Sequence, residues 1–300
     1  MTVTFGEAER QILKLFPSGR SFFYDGVEYI VRFSGKPTCR KGEPKTDIYV
    51  LTESVMGIRE FKISFKKNNA DFLENKINAE RARQLFGTEW GLVISNATSA
   101  MQKDFATRPL IYRHSFRRTK AGAITLGWKF ELLNVGRGQL SGDMLLSRSQ
   151  VIDVYSGTNL QEDKRDAAVN GKIIPNSGIA NYILFEGKDK SPATAQEAIN
   201  MLISVEEYVE KHPKIYFACK ALNYRTRENK YDGNRPLAVY VDWDVQNGKM
   251  VSRLVYDTPL QQGGDYAFVK LNRAMKTLGI TSAFDIGAHN VNNMGIVWNG

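Results

Sequence analysis

Across residues 60–66 apolar and polar positions alternate without a break. Phe61, Ile63 and Phe65 fall on one side of an extended chain, and Glu60, Lys62, Ser64 and Lys66 on the other, because strand side chains repeat every two residues. The pattern predicts a half-buried strand anchored by aromatic and β-branched residues. A second β-rich run at residues 48–52 precedes it, and a short connection containing Gly57 makes the two a predicted hairpin. Asp47 opens the first run. The expectation is that Asp47 and Glu60 stand at the ends of adjacent strands, with Lys62 two residues beyond the second carboxylate.

Other stretches predict further elements. Residues 7–16 read as a helix with apolar Ala8, Ile12, Leu13, Leu15 and Phe16, stopped at Pro17 and Gly19. Residues 22–33 alternate around Gly26 as a hairpin, then run into a polar loop at 34–45. Residues 69–86 carry a helical period closed by Gly87, and 89–105 read as an apolar segment and helix. Gly/Ser-rich composition at 136–142 predicts a boundary, which divides the chain into residues 1–136 and 137–300. Beyond it, helices are predicted at 149–155, 195–209 and 266–278 and a strand at 215–222. A hairpin of 237–243 with 250–256 turns on Asn247-Gly248. The fold class is α/β: a mixed sheet flanked by helices, followed by a β-rich elaboration.

Composition narrows the function classes. With 42% apolar and 24% charged residues over 300 positions, the chain reads as a globular protein. No run approaches the roughly 20 apolar residues of a membrane span. The first residues carry no signal-peptide pattern, so a cytoplasmic protein is expected. Cys39 and Cys219 form no Cys-x-x-Cys pair, and His114, His212 and His289 are too scattered for a zinc set. The net charge is +9, and residues 1–120 hold 21 Lys and Arg against 13 Asp and Glu, while the rest hold 20 against 19. A basic N-terminal part suits a phosphodiester partner.

The tripeptide Glu-x-Lys occurs six times, starting at Glu43, Glu60, Glu74, Glu162, Glu186 and Glu228. Only Glu60 and Glu186 follow an apolar run, and Gly187 breaks the second. Asp47, then twelve residues, then Glu60-Phe61-Lys62 resembles the Asp…Glu-x-Lys signature of the PD-(D/E)XK nuclease superfamily, which includes many type II restriction endonucleases. Pro44 stands three residues before Asp47 rather than directly before it.

The resemblance implies a restriction-endonuclease-like core at residues 1–136 and Mg²⁺ held by Asp47 and Glu60. Lys62 would act on the attacking water or the developing charge. It also implies hydrolysis of double-stranded DNA, by a homodimer. In the family an early helix often adds an acid, for which Glu7 and Glu9 are the candidates. Ser64 and Lys66 share the face of Lys62 and are placed to touch the phosphate. Basic residues Lys36, Arg40 and Lys41 in the 34–45 loop, and Arg113, Arg117 and Arg118 in the 108–120 segment, are expected on the DNA backbone. Asn170, Lys172 and Asn176, in the long polar stretch 157–178, are expected at base edges. The alternatives are a phage or repair nuclease of lower sequence specificity and an inactive DNA-binding protein.

Overall fold

A strand with three large apolar side chains on one face needs a layer to cover them. In the computed structural model, which describes residues 4–67, 72–75, 77–186 and 191–300, helices form that layer. Phe61, Ile63 and Phe65 are at most 1% exposed. They pack with Ala8 and Ile12 of helix α1 (Phe5–Leu13), with Phe16, and with Ala195, Ala198 and Ile199 of the helix Ala195–Asn200. Each such ring or branched chain contributes about 1.5–3 kcal/mol on burial. Helix α1 starts at Thr4. The Thr4 hydroxyl accepts the Glu7 amide at 3.3 Å, and Glu7 accepts the Thr4 amide at 2.7 Å, a reciprocal cap.

Strands β1 (Ser21–Tyr24), β2 (Val27–Gly35), β3 (Ile48–Ser54) and β4 (Gly57–Lys66) form an antiparallel meander. The turn between β1 and β2 uses Asp25 and Gly26 at φ 50° and 76°, which suits a tight hairpin. Tyr182–Phe185 then lies parallel to β4, and Leu202–Ser204 closes the sheet antiparallel to it. Parallel neighbours need a long connection. Here the connection is an excursion through a second compact unit.

One unit comprises Met1–Leu73 and Leu145–Lys214, the other Glu74–Met144 and Ile215–Gly300. Each is therefore built from two stretches of chain, not divided at residue 136. In the second unit an antiparallel sheet runs in the order Lys249–Val255, Val239–Gln246, Ala123–Leu133, Ile215–Arg225, Ser141–Met144. Its middle strand, Ala123–Leu133, has ten of eleven residues buried. Its sequence still alternates, with Ile124, Leu126, Trp128, Phe130 and Leu132 on one face and Thr125, Lys129 and Glu131 on the other, so the polar face of this strand is buried as well as the apolar one. Helix Gly264–Thr277 packs on Val239–Gln246, and Asn247 and Gly248 turn the hairpin at φ 50° and 71°. Among the described residues no helix is long and apolar enough to cross a membrane.

Two predicted helices are shorter than their sequence period. The helix expected at 69–86 begins at Ala79, where Asn78 caps it by accepting the Arg81 amide at 2.8 Å. Residues 72–74 are extended, and 68–71 and 76 lie outside the described residues. The helix expected at 195–209 breaks after Asn200, because Leu202 and Ile203 pair with Leu184 and Ile183 at the sheet edge. Ser204 then caps a new helix, Val205–Lys211, by accepting the Glu207 amide at 3.1 Å.

Candidate functional site

The level of each side chain along the β3–β4 pair decides which charges meet. The turn lies at Val55 and Met56, which sets Ser54 opposite Gly57, Leu51 opposite Glu60, Tyr49 opposite Lys62 and Ile48 opposite Ile63. Asp47 precedes β3 and grips β4 twice. Its amide donates to the Ile63 carbonyl at 2.9 Å, and its carboxylate accepts the Phe65 amide at 2.8 Å. Asp47 therefore stands at the level of Ser64. Glu60 lies four residues down the strand from Ser64, about 13 Å at ~3.4 Å per residue. The structure does not bring Asp47 and Glu60 together.

Two polar groups result. Glu60 accepts a hydrogen bond from the Tyr49 hydroxyl, and Lys62 lies 3.6 Å from the Glu60 carboxylate. Burial, and then the Glu60 hydrogen bond and charge, push the Tyr49 hydroxyl pKa well above its ordinary value. Asn181 holds the backbone there, accepting the Lys62 amide at 2.7 Å and donating to the Glu60 carbonyl at 3.0 Å. In this group the Lys62 side chain is 13% exposed and the Glu60 side chain 33%.

The Asp47 group differs in kind. Burial pushes its carboxyl up to about 6, with the negative charge of Glu9 adding to that. Lys66, the Phe65 amide and Lys36 act in the opposite direction. Glu9 is 5% exposed and accepts a hydrogen bond from the Lys36 ammonium. Burial works against the Lys36 charge, but the Glu9 bond and the charges of Glu9 and Asp47 outweigh it, so its pKa is raised. Two carboxylates and two ammonium groups thus act on one another at one end of the sheet. Of the two acids in α1, Glu7 serves the helix cap, while Glu9 joins this group. Ser64 is fully buried, and its hydroxyl has no hydrogen-bond partner among the described residues.

The chain that delivers Asp47 is pinned from the 157–178 stretch. The amides of Lys45 and Thr46 both donate to the Gly178 carbonyl, at 3.0 and 3.1 Å. A Cβ at Gly178 would meet the Lys164 carbonyl oxygen at 1.8 Å, so only glycine fits. Thr38 and Ala168 exchange amide-to-carbonyl bonds of 2.9 Å each. Asn170 donates to the Ser34 carbonyl at 3.0 Å from a left-handed turn with Gly171. Asn176 is also left-handed, at φ 57°. Asn170 is thus tied to the backbone of this unit, while Lys172 is exposed, as are Arg40 and Lys41.

The other basic residues lie in the second unit. Arg113 donates to the Asn299 side chain at 3.4 Å, and Arg117 donates to Gln139 at 3.3 Å and lies over the Phe116 ring. Arg118 and Lys120 are exposed. The charge follows this division. The unit with Asp47 holds 20 Lys and Arg against 19 Asp and Glu, and the second unit 21 against 13. The positive excess expected beside the signature therefore belongs to the other unit, because residues 74–120 fold there.

The chain matches no protein-family model, no curated protein and no solved structure. Fit to the Mg²⁺ that the resemblance implies therefore rests on the donor atoms. Asp47 with Glu60 does not fit, since their carboxylates stand at different levels. Asp47 and Glu9 are two carboxylates that act on one another electrostatically, and Mg²⁺ takes one or two protein carboxylates and fills the rest of its shell with water and phosphate oxygens. Among the described residues no three His, Cys, Asp or Glu side chains gather, so this acid pair is the candidate donor set.

Proposed function

We propose that this chain is a Mg²⁺-dependent deoxyribonuclease whose working group is Asp47, Glu9 and Lys66. One arrangement carries the reading: the partly buried Asp47 carboxylate, held on the Phe65 amide, stands under the combined charges of Lys66, Lys36 and the Lys36-paired Glu9. Structural groups are seldom arranged so that burial and opposed charges compete at one carboxyl, whereas reactive ones commonly are. Asp47 and Glu9 would hold the ion, which when bound supplies an activated water and polarises the scissile phosphate. Lys66 would stabilise negative charge growing on the phosphate oxygens, and Lys36 keeps Glu9 in place. The mixed sheet with helices against it supports the restriction-endonuclease-like reading of the fold. The basic second unit supports a polyanionic substrate. Type II-like cutting of both strands requires two copies of the site, so the proposal includes a homodimer on DNA.

Plasmid cleavage with Mg²⁺ tests the assignment. Asp47→Asn and Lys66→Ala should each lose about 10²-fold or more in rate, while Glu60→Gln and Lys62→Ala keep most of it. If Glu60→Gln abolishes cutting and Lys66→Ala does not, the site lies at the Glu60 level instead. A wild-type protein that shifts DNA without cutting it supports the inactive DNA-binding alternative.

A further inference from the structure

The Ser64 hydroxyl makes no hydrogen bond among the described residues, although the residue is fully buried. Leaving such a group unpaired costs about 1–3 kcal/mol, and alanine in its place would remove that cost. Its position is determined by the same two bonds that hold Asp47. They land on Ile63 and Phe65, the residues on either side of Ser64. Ile63 and Phe65 turn into the apolar core, so alternation directs Ser64 to the opposite face, with Lys66.

We propose that the Ser64 hydroxyl is a neutral third oxygen for a divalent cation held by Asp47 and Glu9. This rests on the nuclease reading of that pair. Carboxylate, hydroxyl and water oxygens are the donors that Mg²⁺ and Mn²⁺ take. A hydroxyl left without an internal partner, at the level of a desolvated carboxylate, is a donor kept for a ligand. Cation binding would satisfy it at no further loss of protein hydrogen bonds. An anion is the less suitable occupant, because Asp47 and Glu9 present acceptor oxygens only.

Calorimetric titration with Mn²⁺, in the absence of DNA, provides the test. Wild type should bind Mn²⁺, Asp47→Asn should not, and Ser64→Ala should bind roughly 10–100-fold more weakly, the range for groups that support a metal. Without metal, the melting temperature of Ser64→Ala should be unchanged or higher, which excludes misfolding as the cause. If Ser64→Ala binds within twofold of wild type while Asp47→Asn does not bind, the serine proposal is overturned and the nuclease reading stands. If wild type takes up no Mn²⁺, or Asp47→Asn binds it equally well, both are overturned.

Discussion

Asp47 carries a cost that its neighbours only partly offset. Its pKa rises from 3.8 to about 6, chiefly through burial, so the folded chain holds the proton more tightly than the unfolded one. The sign follows by linkage. Below about pH 4 both states are protonated and the group contributes nothing. Between about pH 4 and 6 the unfolded state ionises first and stability falls, and above about 6 the loss is complete. Asp47→Asn, which still offers an oxygen to the Phe65 amide, should therefore stabilise the metal-free protein at pH 7.5. The expected gain is about 3 kcal/mol, fading to zero near pH 3.5. Urea unfolding in EDTA at the two pH values checks this, and equal gains at both would rule out desolvation as the cause. On the nuclease proposal, activity and stability would pull in opposite directions at this residue, as is common where a site needs a strained charge.

At the scale of elements, the approach to Asp47 depends on Gly178. Gly178→Ala forces a Cβ against the Lys164 carbonyl, and the overpacking should cost about 2–3 kcal/mol. It should also weaken Mn²⁺ binding, since Lys45 and Thr46 are tethered there. Gly91→Ala is the control: it lies in the helix Trp90–Ser99 with open space around the new methyl, so it should stabilise by about 0.5–1 kcal/mol. Denaturant midpoints separate the two.

Strand faces were legible in the sequence, because Phe61, Ile63 and Phe65 declare a period of two. Strand level was not. Sliding one strand by two or four residues leaves every side chain on its original face, so Glu60-x-Lys62 and Ser64-x-Lys66 satisfy the same pattern. Only the turn distinguishes them. Tight turns usually announce themselves with Asn or Gly at their centre, whereas here Val55 and Met56 occupy the turn and the left-handed residue is Gly57, at φ 101°, one position later. The break of 195–209 was hidden for a related reason: Leu202 and Ile203 continue the helical period, and only their pairing with Tyr182–Phe185 shows that they are extended.

At the scale of the molecule, basic charge and the candidate site fall in different units, and this separates their mutational effects. Removing Arg113, Arg117 and Arg118 together should weaken DNA binding and flatten its salt dependence by roughly 0.9 in log–log slope per lost phosphate contact. Mn²⁺ affinity at Asp47 should be unchanged. Fluorescence anisotropy across a salt series, beside calorimetry on the same variant, measures both. A slope equal to wild type assigns Arg113 and Arg117 to their own side-chain contacts with Asn299 and Gln139 and Arg118 to the solvated surface. This partition is invisible along the chain, because both units are discontinuous and a charge count by position mixes them.

The interrupted first unit also bears on how the protein is made. The strand parallel to β4 and the Gly178 carbonyl that tethers Lys45 and Thr46 are translated more than 100 residues after Asp47. At about 5–20 residues per second, a ribosome needs several seconds or more to supply them. Throughout that interval the emerging N-terminal stretch carries Glu9, Asp47, Ser64 and Lys66 without the strand and tether that complete their setting. On the nuclease proposal, such a nascent chain would be harmless to nucleic acid near the ribosome until its last sheet partner arrived, and chain order itself would act as a safety catch.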